Sequence, residues 1–453
     1  MKFRVLLSLL LVVGVGLIAW NLASRESAPP AAPAPEAILD SVSPAAQDSV
    51  PAPSRGWKHV FLILVDTLRR DHVSLYGDAA KTPNMERLAR NGQVFEAAVS
   101  SFHQTTMSTA AIFTGRTPSL EKADGGRMHW NGQTWCGLAR LAADKQDTCI
   151  PAALPTLADG MRDAGYRTIG VVANELIYAP GGYERGFDEW IEIAPEIPPG
   201  YDENGVIDPS FEAARLRIAT AVNAALFQAL DGESSEQPLF VYLHYIDVHD
   251  HTLAREDYAQ MVALFDTRLG HLLDGLERRG LLSDSLLVLT SDHGEALGEE
   301  HGMPSNKGHL GNPSFQTVLD VPLITSHVIS EDTDTFFRSQ DIFDLMLRAA
   351  GAPGRDPQDI AREEQYLSEH AYQTYRKGRW KSTRPRDGGA LVLFDLETDP
   401  GETRDVAAAH PEIVAEHQAR LDTVAADLRA KEAEPAKLKA YDEERLRRLG
   451  YIE

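Results

Sequence analysis

Apolar positions along this chain gather into short solid runs, with longer amphipathic stretches between them. Val60 to Val65 is apolar throughout and ends on Asp66, and Leu286 to Leu289 continues through Thr290 and Ser291 into Asp292-His293-Gly294-Glu295. Runs this short and continuous predict strands buried on both faces, as in a parallel sheet. Arg167 to Ala173 and Leu239 to Leu243 predict two more. From Asp257 to Arg279 the apolar residues recur at helical spacing, and Gly280 then leads into the Leu286 strand. Strand, long helix, strand is a βαβ pattern, so the expected fold is α/β, a mostly parallel sheet sandwiched by helices. After Gly351 the pattern weakens. Leu391 to Phe394 predicts a strand of a small C-terminal α+β subdomain, and residues from His410 onward read as charged, alanine-rich helix.

The ends of the chain differ from its middle. Lys2 and Arg4 precede an apolar segment, Val5 to Trp20, a little shorter than the roughly 20 residues that span a bilayer. Residues 1–23 therefore read as a signal anchor with its N-terminus in the cytoplasm, or as a cleaved signal peptide; no good cleavage site follows. Both readings put the folded part in the periplasm or outside the cell. Residues 24–56, rich in Pro, Ala and Ser, read as a semi-extended linker. The expected division is completed by a main domain over 57–350 and a C-terminal subdomain with a charged helical tail over 351–453. A net charge of −23 over 453 residues disfavours nucleic acid as a partner but leaves an anionic substrate open, because a bound cation sets its own local potential. The two cysteines, Cys136 and Cys149, form either a disulfide in an exported chain or two thiols, and make a poor zinc site.

Chemistry is expected where the runs end. Ligands of open α/β sheets sit beyond the carboxyl ends of the strands, and Asp66, Asp292 and His293 are delivered there. Two carboxylates and an imidazole suit a hard or borderline cation. In the string His103 to Ser119, the segment Ala110 to Phe113 continues a helix that starts near Thr105 to Ser108. A nucleophilic hydroxyl at such a start faces unpaired backbone N–H groups and the positive end of the helix dipole. The plain alternative is that Thr105, Thr106 and Ser108 cap the helix. His72 and His244 read as packed or surface histidines, Asp71 as structural, Arg69 and Arg70 as solvated, and Glu295 as a residue that orients its loop.

Nine strings in order resemble the sulfatase family of the alkaline phosphatase superfamily: VDTLRRD, TPNMERLARNG, TAAIFTGRTPS, GYRTIGVV, ERGFD, VYLHYIDVHD, TSDHGEALGEEHG, VPLI and LFDLETDPGE. The resemblance spans Lys58 to about Glu412. It implies an alkaline-phosphatase-like fold and a sulfatase-like catalytic domain over 57–350. It implies one divalent ion (Mn²⁺, Zn²⁺, Ca²⁺ or Mg²⁺) held by Asp66, Asp292, His293 and Thr105, with Thr105 as nucleophile. His249 and His309 are expected to handle the leaving-group proton, and Lys307, His301 and Asn174 to contact substrate.

Three departures from the family's pattern stand out. Thr105-Thr106-Met107-Ser108-Thr109 lacks the Cys or Ser, Pro and Arg of a formylglycine setting, so no formylglycine is expected. Asp66-Thr67 replaces paired aspartates. Val172-Ala173-Asn174-Glu175 stands where many members carry Lys-x-His. These departures favour phosphoryl-type chemistry, as hydrolase or transferase, over the alternative of a true sulfatase acting on a glycan or small ester. A sulfated glycan, a phospholipid headgroup or a phosphodiester is the expected partner, with the membrane engaged through the N-terminal segment. A catalytically silent protein that binds an anionic glycan or lipid is the reading from another class.

Overall fold

The computed structural model describes residues 56–432 apart from 78, 119–148, 153, 175, 178–180, 194–215, 232–236, 252–253, 255, 306, 310–313, 330–335, 353–362, 370 and 387. The expected anchor or signal, nearly all of the linker, Cys136 and the chain beyond 432 lie outside the described residues. Among the described residues no helix is long and apolar enough to cross a membrane.

The strands in chain order are β1 (His59–Val65), β2 (Gln93–Val94), β3 (Ala98–Val99), β4 (Arg167–Val172), β5 (Glu189–Glu192), β6 (Leu239–Tyr245), β7 (Ser285–Thr290), β8 (Leu323–Thr325), β9 (Phe337–Arg338), β10 (Glu364–Ser368), β11 (Tyr372–Lys377), β12 (Trp380–Pro385) and β13 (Val392–Asp395). The helices are α1 (Pro83–Ala89), α2 (Thr105–Thr114), α3 (Leu157–Asp163), α4 (Ile218–Leu230), α5 (Tyr258–Arg278), α6 (Gln316–Leu319), α7 (Ile342–Ala349) and α8 (Pro411–Glu432). The main sheet runs β2-β8-β7-β1-β6-β4-β5. β7, β1, β6, β4 and β5 are parallel, while β8 is antiparallel to both of its neighbours. The expected mostly parallel sheet is thus present, with a mixed edge.

Strand alternation divides the core into two layers. Phe61, Ile63 and Val65 pack with Val222 and Leu226 of α4 and Phe265 and Leu269 of α5. Val60, Leu62 and Leu64 face the other way, onto Ala110, Ile112 and Phe113 of α2 and Met346 of α7. All seven residues of β1 are buried, which explains why its sequence shows no polar alternation. Asp257 caps α5 by accepting from Ala259 N at 2.9 Å, and Gly280 at φ +67° turns the chain out of it toward β7. In the small C-terminal subdomain the antiparallel sheet β10-β11-β12-β13 packs Tyr366, Tyr375 and Leu393 against Leu421, Val424 and Leu428 of α8.

Register levels the strand ends that matter. Val65 lies opposite Tyr245, Leu64 opposite both His244 and Thr290, and Val172 opposite His244. The carboxyl ends of β7, β1, β6 and β4 therefore open side by side at one edge of the sheet.

Candidate active site

Asp66 follows β1, Asp292 and His293 follow β7, and Asn174 follows β4, so the levelled strand ends bring them together. Asp66, Asp292 and His293 are fully buried. His293 Nε2 lies 3.9 Å from Asp66 Oδ1 and 3.5 Å from Asp292 Oδ2. Its Nδ1–H donates to the Gly294 carbonyl at 2.9 Å, which fixes the tautomer and turns the Nε2 lone pair toward the carboxylates. Asn174 Nδ2 donates to Asp66 Oδ2 at 2.6 Å. The Asp292 carboxylate is steadied by Thr67 N at 3.1 Å and His293 N at 2.9 Å. To aim its N–H this way Thr67 adopts a left-handed conformation, φ 59°.

Thr105 completes the group from the facing helix. Its Oγ1 is 3.3 Å from His293 Nε2 and 3.5 Å from Asp66 Oδ2. Capping of α2 falls to another residue: Gln104, in extended backbone, accepts from Met107 N at 3.3 Å. Thr106 donates to the Gln104 side chain at 2.6 Å, and Ser108 donates to the Phe102 carbonyl at 2.7 Å. Thr105 is left with its hydroxyl turned toward the acidic cluster, so the helix-cap alternative describes Gln104 and not Thr105.

The electrostatics suit a cation. Burial, then the neighbouring Asp292, push the Asp66 carboxyl well above its ordinary range, and burial also raises Asp292. Asp66 Oδ1 and Asp292 Oδ2 are buried without a hydrogen-bond partner. Two facing carboxylates with unsatisfied oxygens, an oriented imidazole and a hydroxyl form a donor set that a divalent ion would satisfy.

His244 is the residue that the sequence reading passed over as packed or surface. It is fully buried, neither ring nitrogen has a hydrogen-bond partner, and Nε2 lies 3.8 Å from Asp66 Oδ2. Asp66, His244 and Asp292 can offer three ligand atoms that all lie within 4.8 Å of one another. Burial lowers the His244 imidazole to about 4, so it is neutral at physiological pH. The signal was present: His244 sits on the inward alternation of β6 with Phe240 and Tyr242, facing α2, at the last turn of the pleat before the strand ends.

Two further histidines flank the cluster. The His309 ring lies 4.4 Å from that of His293 and 5.6 Å from that of His249, centroid to centroid. His309 Nδ1–H donates to the Glu295 carboxylate at 3.1 Å, so Glu295 orients an imidazole as well as its own loop. Burial would lower His249, but Asp66 together with Asp250 and Glu295 outweighs it and raises the imidazole above its ordinary value. His301 and Lys307 line a cavity of about 450 Å³ with Glu299, Glu300 and Met303. There His301 stacks on Phe315 with centroids 3.8 Å apart and donates Nδ1–H to the Gly401 carbonyl. Arg69, read as solvated, is buried and forms a bidentate pair with Asp71.

The loop that leads into α2 is braced from the C-terminal subdomain. Gln365 Nε2 of β10 donates to the Ser100 carbonyl at 2.6 Å, and Glu369 Oε2 lies 3.3 Å from His103 Nε2.

Comparison with known proteins places the fold and the family. The phosphonate monoester hydrolase of Agrobacterium radiobacter superposes with a TM-score of 0.58 at 18% identity, over 82% of this chain and 96% of that one. An N-acetylgalactosamine-6-O-sulfatase of Bacteroides thetaiotaomicron is 22% identical over 81% of this chain and 93% of its own length. The N-acetylgalactosamine-6-sulfatase of Rattus norvegicus is 25% identical over 53% of this chain, which spans only half of that longer relative. Fold and relatives together define an alkaline-phosphatase-like ester hydrolase. Residues 58–352 match the family described as Sulfatase, and the chain belongs to the sulfatase family. The named relatives favour the sulfate-ester alternative over the preference for phosphoryl chemistry drawn from the sequence.

Proposed function

We propose that this protein hydrolyses sulfate esters carried on a glycan, with Thr105 as nucleophile and a divalent ion held by the Asp66–Asp292–His293 cluster. The observation that carries the reading is the Thr105 hydroxyl, relieved of capping and turned into that cluster. Two sulfatase relatives acting on N-acetylgalactosamine 6-sulfate support the substrate class. A bound divalent ion would lower the hydroxyl's pKa and draw charge from the ester oxygens. Thr105 Oγ, its proton released to solvent, then attacks sulfur, and the bond from sulfur to the glycan oxygen breaks. Protonated His249 supplies the leaving oxygen with its proton. Water, its proton taken by His309, then attacks sulfur and cleaves the sulfo-threonine to sulfate, and His309 passes that proton to Thr105 Oγ to restore the hydroxyl. Asn174 holds Asp66 in place, while Lys307 and His301 meet more distant parts of the glycan in their cavity. The N-terminal segment supports placement outside the cytoplasm, tethered to the membrane or released after cleavage.

A phosphate or phosphonate ester is the second reading. Threonine cannot be oxidised to the formylglycine aldehyde, and a direct hydroxyl nucleophile suits phosphoryl transfer. One experiment separates the two. The purified full chain, loaded in turn with Mn²⁺, Zn²⁺ and Ca²⁺, is assayed on N-acetylgalactosamine 6-sulfate, an aryl sulfate, an aryl phosphomonoester and an aryl phosphodiester. Sulfate turnover is expected to dominate, and T105A to lower it at least about a thousandfold with the unfolding temperature preserved. Dominant phosphodiester turnover would install the second reading, and no turnover on any ester would leave a binding protein.

A further inference from the structure

We infer that His244 is itself a ligand of the divalent ion, giving a site of two carboxylates and two imidazoles that selects Zn²⁺ or a similar borderline ion over Ca²⁺. The inference rests on the metal-site reading above and adds to it a residue and a selectivity. Its starting point is an imidazole with no other occupation. His244 is fully buried, yet both ring nitrogens lack a hydrogen-bond partner. Burying such groups unsatisfied carries a desolvation penalty, so a fold that keeps the residue must engage it by other means.

Asp66 alone does not engage it. The separation of Nε2 from Asp66 Oδ2, 3.8 Å, is too long for a hydrogen bond, and that oxygen already accepts from Asn174 at 2.6 Å. The spacing instead matches donors arranged around an ion. Donors at about 2.1 Å from a tetrahedral zinc lie about 3.4 Å apart. Among the four proposed ligands, His293 Nε2 to Asp292 Oδ2, His244 Nε2 to Asp66 Oδ2 and His293 Nε2 to Asp66 Oδ1 are 3.5, 3.8 and 3.9 Å, close enough for a small contraction onto an ion. Nitrogen donors decide the selectivity. Imidazole suits zinc, copper, iron and nickel, whereas Ca²⁺ prefers six to eight oxygens at longer distances.

The full chain, stripped with a chelator and reloaded with one equivalent of Zn²⁺, is to be examined by X-ray absorption at the zinc edge. Two imidazoles in the coordination shell are expected, and a single one overturns the inference without any variant being made. In parallel, Zn²⁺ and Ca²⁺ are titrated separately by calorimetry into wild type, H244Q and H293Q. H244Q is expected to weaken Zn²⁺ binding about tenfold or more and Ca²⁺ binding less than about threefold. H244Q that binds Zn²⁺ within about twofold of wild type, while H293Q loses it, removes His244 from the site and leaves the site standing. A wild-type chain that takes up neither ion sinks the metal site and this inference together.

Discussion

Single side chains around the cluster carry their own consequences, and Asp247 is the plainest case. It is buried two residues before His249, with Oδ1 accepting from Ala219 N at 3.1 Å and Oδ2 unpartnered. Burial, with nearby Asp250 adding to it, pushes this carboxyl up to about 7. Its folded pKa thus stands above the unfolded one, and the native state holds the proton through the window between about 4 and 7. The stability gained is complete below about pH 4 and is lost as pH rises through 7. D247N keeps the acceptor for Ala219 and carries no charge. It should match wild type at about pH 4 and exceed it increasingly as pH rises, by roughly 2–4 kcal/mol at pH 8, in urea unfolding. Equal pH slopes for the two proteins would refute this. Among the site residues, Asp66, Asp292 and His293 were legible because each ends an apolar run. His244 was passed over: the alternation of β6 puts it on one face with Phe240 and Tyr242, but only the register of neighbouring strand ends shows that this face meets the acidic cluster.

At the scale of elements, close contact between helices sets the packing on the face of the sheet away from α2. α4 and α5 meet where Gly275 of α5 faces Phe227 of α4: a Cβ there would come 2.0 Å from the ring. G275A must therefore push the helices apart or turn the ring out, at a cost of about 1–3 kcal/mol. Thermal unfolding of the variant should fall by several degrees, and an unchanged midpoint would count against tight packing at this contact. In the main sheet the strands that could be read in advance, β1, β4, β6 and β7, are the central ones, where burial on both faces leaves an uninterrupted apolar signature; β13 of the C-terminal sheet was read from Leu391 to Phe394. β5 lies at the sheet edge and reads Glu-Trp-Ile-Glu, half-buried, and β8 has three residues, so neither carries enough pattern to announce itself. The antiparallel setting of β8 could not be read at all, because direction belongs to the pairing and leaves no mark on composition. The helix start at Thr105 was anticipated. That Gln104 is its cap, and so what Thr105 is left to do, depends on contacts only the folded chain displays.

Across the whole molecule, the junction between the main sheet and the C-terminal subdomain buries polar contacts beside apolar ones such as Leu319 with Leu367 and Phe315 with Phe394. Lys381 of β12 is fully enclosed, its Nζ 2.6 Å from Glu402 Oε1 and 3.0 Å from Gln316 Oε1. Removing one partner of a buried ion pair strands the other. K381M should cost about 3–5 kcal/mol, and K381M/E402Q should recover much of it, as measured by a double-mutant cycle in denaturant. Full additivity of the two single changes would show the residues to be uncoupled. The chain's acidity enters on this scale too: with a net charge of −23, cations are drawn toward the molecule and anionic substrates depend on local positive charge for their welcome.

The strap from Gln365 and Glu369 to the Ser100–His103 loop has a bearing on the order of assembly. Gln365, 265 positions beyond Ser100, steadies the turn from which Thr105 projects, so every proposed metal ligand is made before the clamp that sets the nucleophile can close.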